Sequence, residues 1–295
     1  MRGVQESLAG RVALLHMSPM SQREIIGAPC VPFTTDMDRL LAERDQFQPV
    51  TTPELFARLW LGSMPGLISG QSPDRNIFYS SYLSTYVERD VRELSGSVDA
   101  LKFNRFVTAV AARCSQLLNY KALADDADID MPTAKNWVNI LETLGIIFLL
   151  HPYSNNVLKR TIKTPKVYFY DTGLVCYLTR WSSPEVAESG AMSGALLENF
   201  TVSEIMKSYQ NAGLEPYLYF YRDRDAKEID VILEGDGKLC PLEIKKTATP
   251  DKRLTRVFSV MDRSPLQLGT GAVLCMAEQF GAFDRDNLIV PIWMI

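Results

Sequence analysis

Two runs of alternating side chains, Glu228 to Glu234 and Leu239 to Lys245, are joined by Gly235-Asp236-Gly237. A glycine-flanked turn between alternating runs closes a β-hairpin, so two adjacent antiparallel strands are expected here. A period of two then assigns sides. Ile229, Val231 and Leu233 share one face of the first strand, and Glu228, Asp230 and Ile232 share the other. On the second strand Leu242 and Ile244 oppose Glu243 and Lys245. With the apolar sets on one core, Asp230, Glu243 and Lys245 converge on the polar side. A helix from Ala195 to Gln210, stopped by Asn211 and Gly213, and a strand from Tyr217 to Arg222 precede the hairpin. An amphipathic helix from Asp251 to Met261 and strands over Ala272 to Met276 and Leu288 to Trp293 follow it.

Two neighbouring carboxylates with a lysine beside them suit a hard divalent cation such as Mg²⁺, which prefers oxygen ligands. A cation there polarises a phosphodiester and acidifies a bound water, while the lysine steadies charge or orients the attacking water. Glu198, on the preceding helix, is a candidate further ligand. Charged residues on an exposed strand face also form cross-strand ion pairs of purely structural use, and spacing alone does not separate the two readings.

Upstream, Val12 to Met17 reads as a short buried strand, and Asp36 to Glu43 as a short amphipathic helix. Pro53 to Leu61 reads as a helix with Thr52 as its N-cap and Pro53 at its first position. Phe78 to Leu94 carries apolar residues at helical spacing. Helices are then expected over Phe103 to Leu118, Tyr120 to Asp126 and Pro132 to Leu144, followed by strands Ile146 to Leu150 and Lys166 to Tyr170. Three helices and a hairpin in that order predict a winged helix-turn-helix. Its candidate recognition helix offers Thr133, Lys135, Asn136 and Asn139, with Trp137 assignable to either side. Lys159, Arg160, Lys163 and Lys166 form an acid-free stretch at the wing, suited to gripping phosphates. The acidic loop Asp125-Asp126-Asp128-Asp130 opposes a nearby duplex, so DNA contact and protein contact both stand. Tyr170-Asp171-Thr172-Gly173 fits a strand end feeding a helix capped by Asp171 or Thr172.

The 295 residues are 46% hydrophobic and carry a formal net charge of −4, so any nucleic-acid binding must be local. Five scattered cysteines and two histidines provide no metal-binding or redox spacing, which predicts reduced thiols. The longest strongly apolar run, Ile146 to Leu150, is far short of the roughly 20 residues that span a bilayer. With no secretion signal either, a cytoplasmic protein without membrane contact is expected.

The acidic helix, the Asp230 strand and Leu242-Glu243-Ile244-Lys245 resemble the PD-(D/E)xK nuclease superfamily. More of the chain resembles the prokaryotic AAA-type ATPases that carry a C-terminal domain of unknown function 4143. The matching stretches are Glu6 to Ser21, Tyr82 to Val91, Lys166 to Leu174 (K-V-Y-F-Y-D-T-G-L), Leu196 to Glu204 (L-L-E-N-F-T-V-S-E) and the two site strands. The resemblance implies an α+β or α/β multidomain chain in three parts. Residues 1–76 would be a partial AAA-type remnant, 77–182 the winged helix, and 183–295 a nuclease-like α-β-β-β-α-β domain. No G-x-x-x-x-G-K-[ST] motif occurs, so ATP is expected only in a full-length relative, and Arg11 is read as structural. The implied function is DNA-directed, Mg²⁺-dependent phosphodiester hydrolysis at Asp230, Glu243 and Lys245, with Glu198 assisting. The alternative is an inactive module that binds DNA or a protein for an ATPase. Lys246, beside Lys245, fits the alternative, since paired cations also mark a plain basic strand end.

Overall fold

The computed structural model describes residues 17–72, 74–87, 89–91, 99–154 and 164–295. Arg11, most of the strand expected from Val12 to Met17, and the wing cations Lys159, Arg160 and Lys163 lie outside these residues, as does part of the helix expected to end at Leu94.

The chain begins with short helices whose ends are written in its capping residues. α1 (Gln22–Ile26) opens on Ser21 with a full capping box to Glu24 and stops at Gly27 in the left-handed region. α2 (Met37–Glu43) is capped by Asp36. α3 (Thr52–Leu61) is capped by Thr51, not Thr52, because Glu54 reaches back 2.8 Å to the Thr51 N–H and completes a capping box one residue earlier. It buries Leu55, Phe56 and Leu59. α4 (Pro65–Ile68) and α5 (Arg75–Ser81) follow, the latter running into a π-helical turn at Tyr82–Val87.

α6 (Ala100–Ala111), α7 (Tyr120–Ala127) and α8 (Met131–Thr143) are succeeded by the antiparallel strands β1 (Ile147–Pro152) and β2 (Lys166–Phe169). Trp137 belongs to the buried side of α8, where it meets Phe103 and Phe106 edge-on at 5.3 Å between ring centroids. α9 (Thr172–Leu178) is capped by Asp171, whose Oδ1 accepts the Leu174 N–H at 2.6 Å. The same carboxylate accepts the Tyr79 hydroxyl at 2.7 Å and the Ser63 N–H at 2.7 Å, tying α9 to α5 and to the end of α3. Gly173 is needed for this contact, since a Cβ there would lie 2.6 Å from the Gly62 Cα.

α10 (Pro184–Ser189) leads to α11 (Ser193–Asn211), which buries polar as well as apolar residues along much of its length. β3 (Leu218–Arg222), β4 (Glu228–Gly235) and β5 (Lys238–Lys245) form the expected antiparallel set. The stretch expected to be an α-helix from Asp251 is instead a 3-10 helix, Lys252–Arg263. Its buried residues Thr255, Phe258 and Met261 recur every three positions, the period at which side chains line up in a 3-10 helix. The strands β6 (Gln267–Leu268), β7 (Gly271–Cys275), β8 (Gly281–Asp284) and β9 (Asn287–Pro291) complete the described elements apart from 3-10 turns at Arg44–Gln46 and Ile292–Met294.

Nine strands form one mixed sheet among the described residues, in the order β2-β1-β3-β4-β5-β7-β9-β8 with β6 beside β5. The hairpin β1–β2 therefore continues the C-terminal strands, through a parallel pairing of His151 with Tyr219 and Pro152 with Phe220. One apolar cluster runs from Phe33 through the α6–α8 helices to Ile295. The first segment is fastened to α11 by Lys207, buried against Glu204 at 2.9 Å and donating to the Met20 carbonyl and the Ser63 hydroxyl. All five cysteines are free. No helix of the described residues is long and apolar enough to cross a membrane.

Candidate active site

β4 does not alternate as its sequence suggests. Tyr219 pairs with Ile232 and Tyr221 with Ile229, so three steps on β4 face two on β3. This β-bulge turns Ile229 to the face of Ile232, where both pack with Phe258 and Met261, while Val231 and Leu233 join the main core. The expected grouping of Ile229 with Val231 and Leu233 is thereby corrected. Both faces of the strand are covered, and Asp230 and Glu243 are buried rather than on an open polar side.

The bulge also aims Asp230. Pairing between β4 and β5 is carried by residues from Gly235 and Lys238 as far as Val231 and Leu242. One residue further on, the Asp230 side chain continues it, with Oδ2 accepting the Ile244 N–H at 2.8 Å. Glu243 and Lys245 project together from β5, as residues two apart must. The Lys245 ammonium lies 2.7 Å from Glu243 Oε1 and 3.5 Å from Asp230 Oδ2. The three residues expected from the sequence are thus brought to one spot. Lys246 points elsewhere, donating to the Glu188 carbonyl of α10 and lying 4.8 Å over the Phe56 ring.

Glu198 enters from α11, which is held to β2 by Asn199: its Oδ1 accepts the Phe169 N–H at 2.8 Å and its Nδ2 donates to the Phe169 carbonyl at 2.9 Å. That clamp sets Glu198 against Lys166 and Tyr168, which share a face of β2. Glu198 Oε1 accepts the Tyr168 hydroxyl at 2.7 Å and faces the Lys166 ammonium at 3.0 Å. Lys166 also lies 2.6 Å from Glu228 Oε1, and Glu228 reaches Arg222 at 3.2 Å. Sequence reasoning placed Lys166 in the phosphate-gripping stretch, which its burial against Glu198 and Glu228 corrects, and missed Tyr168 and Glu228 as members of this cluster. The alternation Lys166-Val167-Tyr168 on a strand was the available signal.

So many carboxylates in a buried place repel one another. Burial, and then the negative Asp230, push the Glu243 carboxyl up to about 7 despite Lys245. The same two causes push Glu198 up to about 6 against the pull of Lys166 and Tyr168. Burial pulls both lysines down, but the surrounding carboxylates outweigh it and hold both ammonium groups above their ordinary value. Among the described residues no group of three His, Cys, Asp or Glu side chains is placed to hold a metal ion, and lysine ammonium groups contact these carboxylates. The chemistry of the donors, as distinct from their present spacing, suits a hard cation. The set is all carboxylate oxygen, and Glu243 Oε2 is buried with no hydrogen-bond partner.

Lys135 and Asn136 are exposed on α8, with Lys135 Nζ 5.6 Å from the Tyr120 ring centroid. The acidic loop expected to repel a duplex is partly neutralised, Asp126 by Arg113 at 2.6 Å and Asp128 by Lys102 at 2.9 Å. An open groove of about 590 Å³ is lined by Tyr153, Tyr221, Arg222 and Arg224, among others, and Arg222 links it to the cluster through Glu228.

Residues 193–295 match the family model described as "Domain of unknown function (DUF4143)", in keeping with the resemblance of the C-terminal region. Residues 52–185 match a second model, "Domain of unknown function (DUF8612)". The chain is similar to the uncharacterized protein Mb2031c of Mycobacterium bovis and the uncharacterized protein Rv2008c of Mycobacterium tuberculosis. Each is 28% identical over 290 residues, covering 97% of this chain and 58% of the relative. The chain thus spans little more than half the length of these curated relatives. No solved structure matches it.

Proposed function

We propose that this chain cleaves phosphodiester bonds in DNA, using Asp230, Glu243 and Lys245 with Glu198 as a fourth member and Mg²⁺ as the resident cation. The observation that carries the reading is Glu243 Oε2, a buried oxygen without a partner beside Asp230 and Lys245. When bound, the cation supplies Lewis acidity to a phosphate oxygen and lowers the pKa of a water. Asp230, Glu243 and Glu198 are the residues that would hold it. Lys245, with 42% of its side chain exposed, is the group able to turn from the carboxylates toward a phosphate oxygen.

For the DNA we assign Lys135 and Asn136 of α8, in a winged helix-turn-helix arrangement of α6–α8 and the β1–β2 hairpin. Lys159, Arg160 and Lys163 are assigned to the same role from sequence. In this reading the chain works with an AAA-type nucleotide-binding domain, and ATP belongs to that domain. A second reading, a module that binds DNA or a protein without turnover, is favoured by one observation: Lys245 and Lys166 already occupy the carboxylates as cations.

Incubation of purified protein with plasmid and branched DNA in Mg²⁺ or Mn²⁺ separates the two. Cleavage lost in both Asp230→Ala and Lys245→Ala supports the hydrolase. Cleavage persisting in both variants rejects the site, and retained binding without any cleavage selects the module.

A further inference from the structure

Lys166 is the least exposed cation of the cluster, with 4% of its side chain accessible, and it comes from outside the C-terminal region that supplies Asp230, Glu243 and Glu198. Its backbone is held from both sides. Leu150 of β1 pairs with it across the hairpin, and Leu117, in the segment after α6, bridges to it from the other edge. The neighbouring bonds, Leu118 N–H to the Pro165 carbonyl at 2.8 Å and Val167 N–H to the Gln116 carbonyl at 3.1 Å, fix the strand against the helices. The ammonium touches Glu198 and Glu228 and lies 5.7 Å over the Phe220 ring.

An ammonium at this depth is retained only if carboxylates compensate its lost hydration, and two do. The reverse also holds: Glu198 Oε1 meets the Lys166 ammonium at 3.0 Å and accepts the Tyr168 hydroxyl at 2.7 Å, so its near partners are these two groups. We infer that Lys166 is a positioning residue, the built-in counter-cation of Glu198, which competes with a divalent metal ion for that carboxylate and so lets the β1–β2 hairpin set how tightly the site holds metal. The inference rests on the reading that Asp230, Glu243 and Glu198 receive a cation.

The competition is tested on the full chain by titrating Mn²⁺ and following free Mn²⁺ by electron paramagnetic resonance at pH 7.5. K166Q should bind Mn²⁺ about tenfold more tightly than the wild type, the order expected for removing one nearby positive charge at a partly wet site. K166R, which keeps the charge, should return to within about threefold of the wild type, since the charge and not the chain shape sets the affinity. If K166Q does not fold by circular dichroism, K166M, with an apolar stem of similar length, should show the same tightening. Equal affinity in the wild type and the neutral variants, with binding abolished in all by E243Q, overturns the role of Lys166 and leaves the site standing. No Mn²⁺ binding in any of them overturns both.

Discussion

Glu243 is held in a state that costs the fold stability. Its carboxyl titrates near 7 in the folded chain, chiefly through burial and then through Asp230, against about 4.3 in an unfolded one. Below about pH 4 both states carry the proton and nothing is lost. As pH rises toward 7 the unfolded chain ionises first, so stability falls, and above 7 the loss is complete. E243Q removes the charge and should stabilise the protein at pH 8 by on the order of 2 kcal/mol, with little effect at pH 4.5. Urea denaturation at the two pH values checks this; a variant no more stable than wild type at pH 8 contradicts it. A destabilising carboxylate kept in place is what a functional site predicts. Asp230, Glu243 and Lys245 were legible as neighbours because the hairpin turn sets their strands side by side, although the side that Asp230 faces is set by the bulge and not by the two-residue period. Lys166 and Tyr168 were not, since their approach to Glu198 depends on how β2 packs on α11, and the bulge that buries Asp230 leaves no mark in the alternation of β4.

At the scale of elements, caps carry different weights according to what else they satisfy. Thr51 is exposed and serves α3 alone, so Thr51→Ala should cost about 1 kcal/mol, the usual value of an N-cap. Asp171 is 2% exposed and answers three elements: the N-terminus of α9, Tyr79 of α5 and the Ser63 N–H after α3. Asp171→Ala leaves those buried donors unsatisfied and should cost on the order of 3 kcal/mol or more. Equal losses of melting temperature in the two variants would contradict this ranking. The sequence pointed to both caps, to within one residue for α3, because capping is local chemistry. It misled for Lys252–Arg263, where an amphipathic run was read at the α-helical period although Leu254-Thr255, Val257-Phe258 and Val260-Met261 recur every three residues.

At the scale of the molecule, the sheet crosses the boundary that the resemblance implies between residues 182 and 183. The joint is small, two residue pairs between β1 and β3, and joins strands far apart in sequence, so no local pattern announces it. Its consequences are large. Without β1 and β2, β3 becomes an edge strand with unpaired backbone groups, α11 loses the strand that Asn199 clamps, and Glu198 loses both Lys166 and Tyr168. In the fragment α11 would also lose part of the apolar cluster that buries Leu196, Leu197 and Phe200. A fragment of residues 183–295 should therefore aggregate or unfold without a cooperative transition, although its boundary lies close to the start of the C-terminal family match. The full chain should melt as one unit, because a single apolar cluster and the buried Lys207–Glu204 pair bind its first segment to α11. Calorimetry of both proteins decides the matter. A soluble 183–295 fragment with a sharp transition near that of the full chain would show that the hairpin is an attachment to the site and not part of its frame.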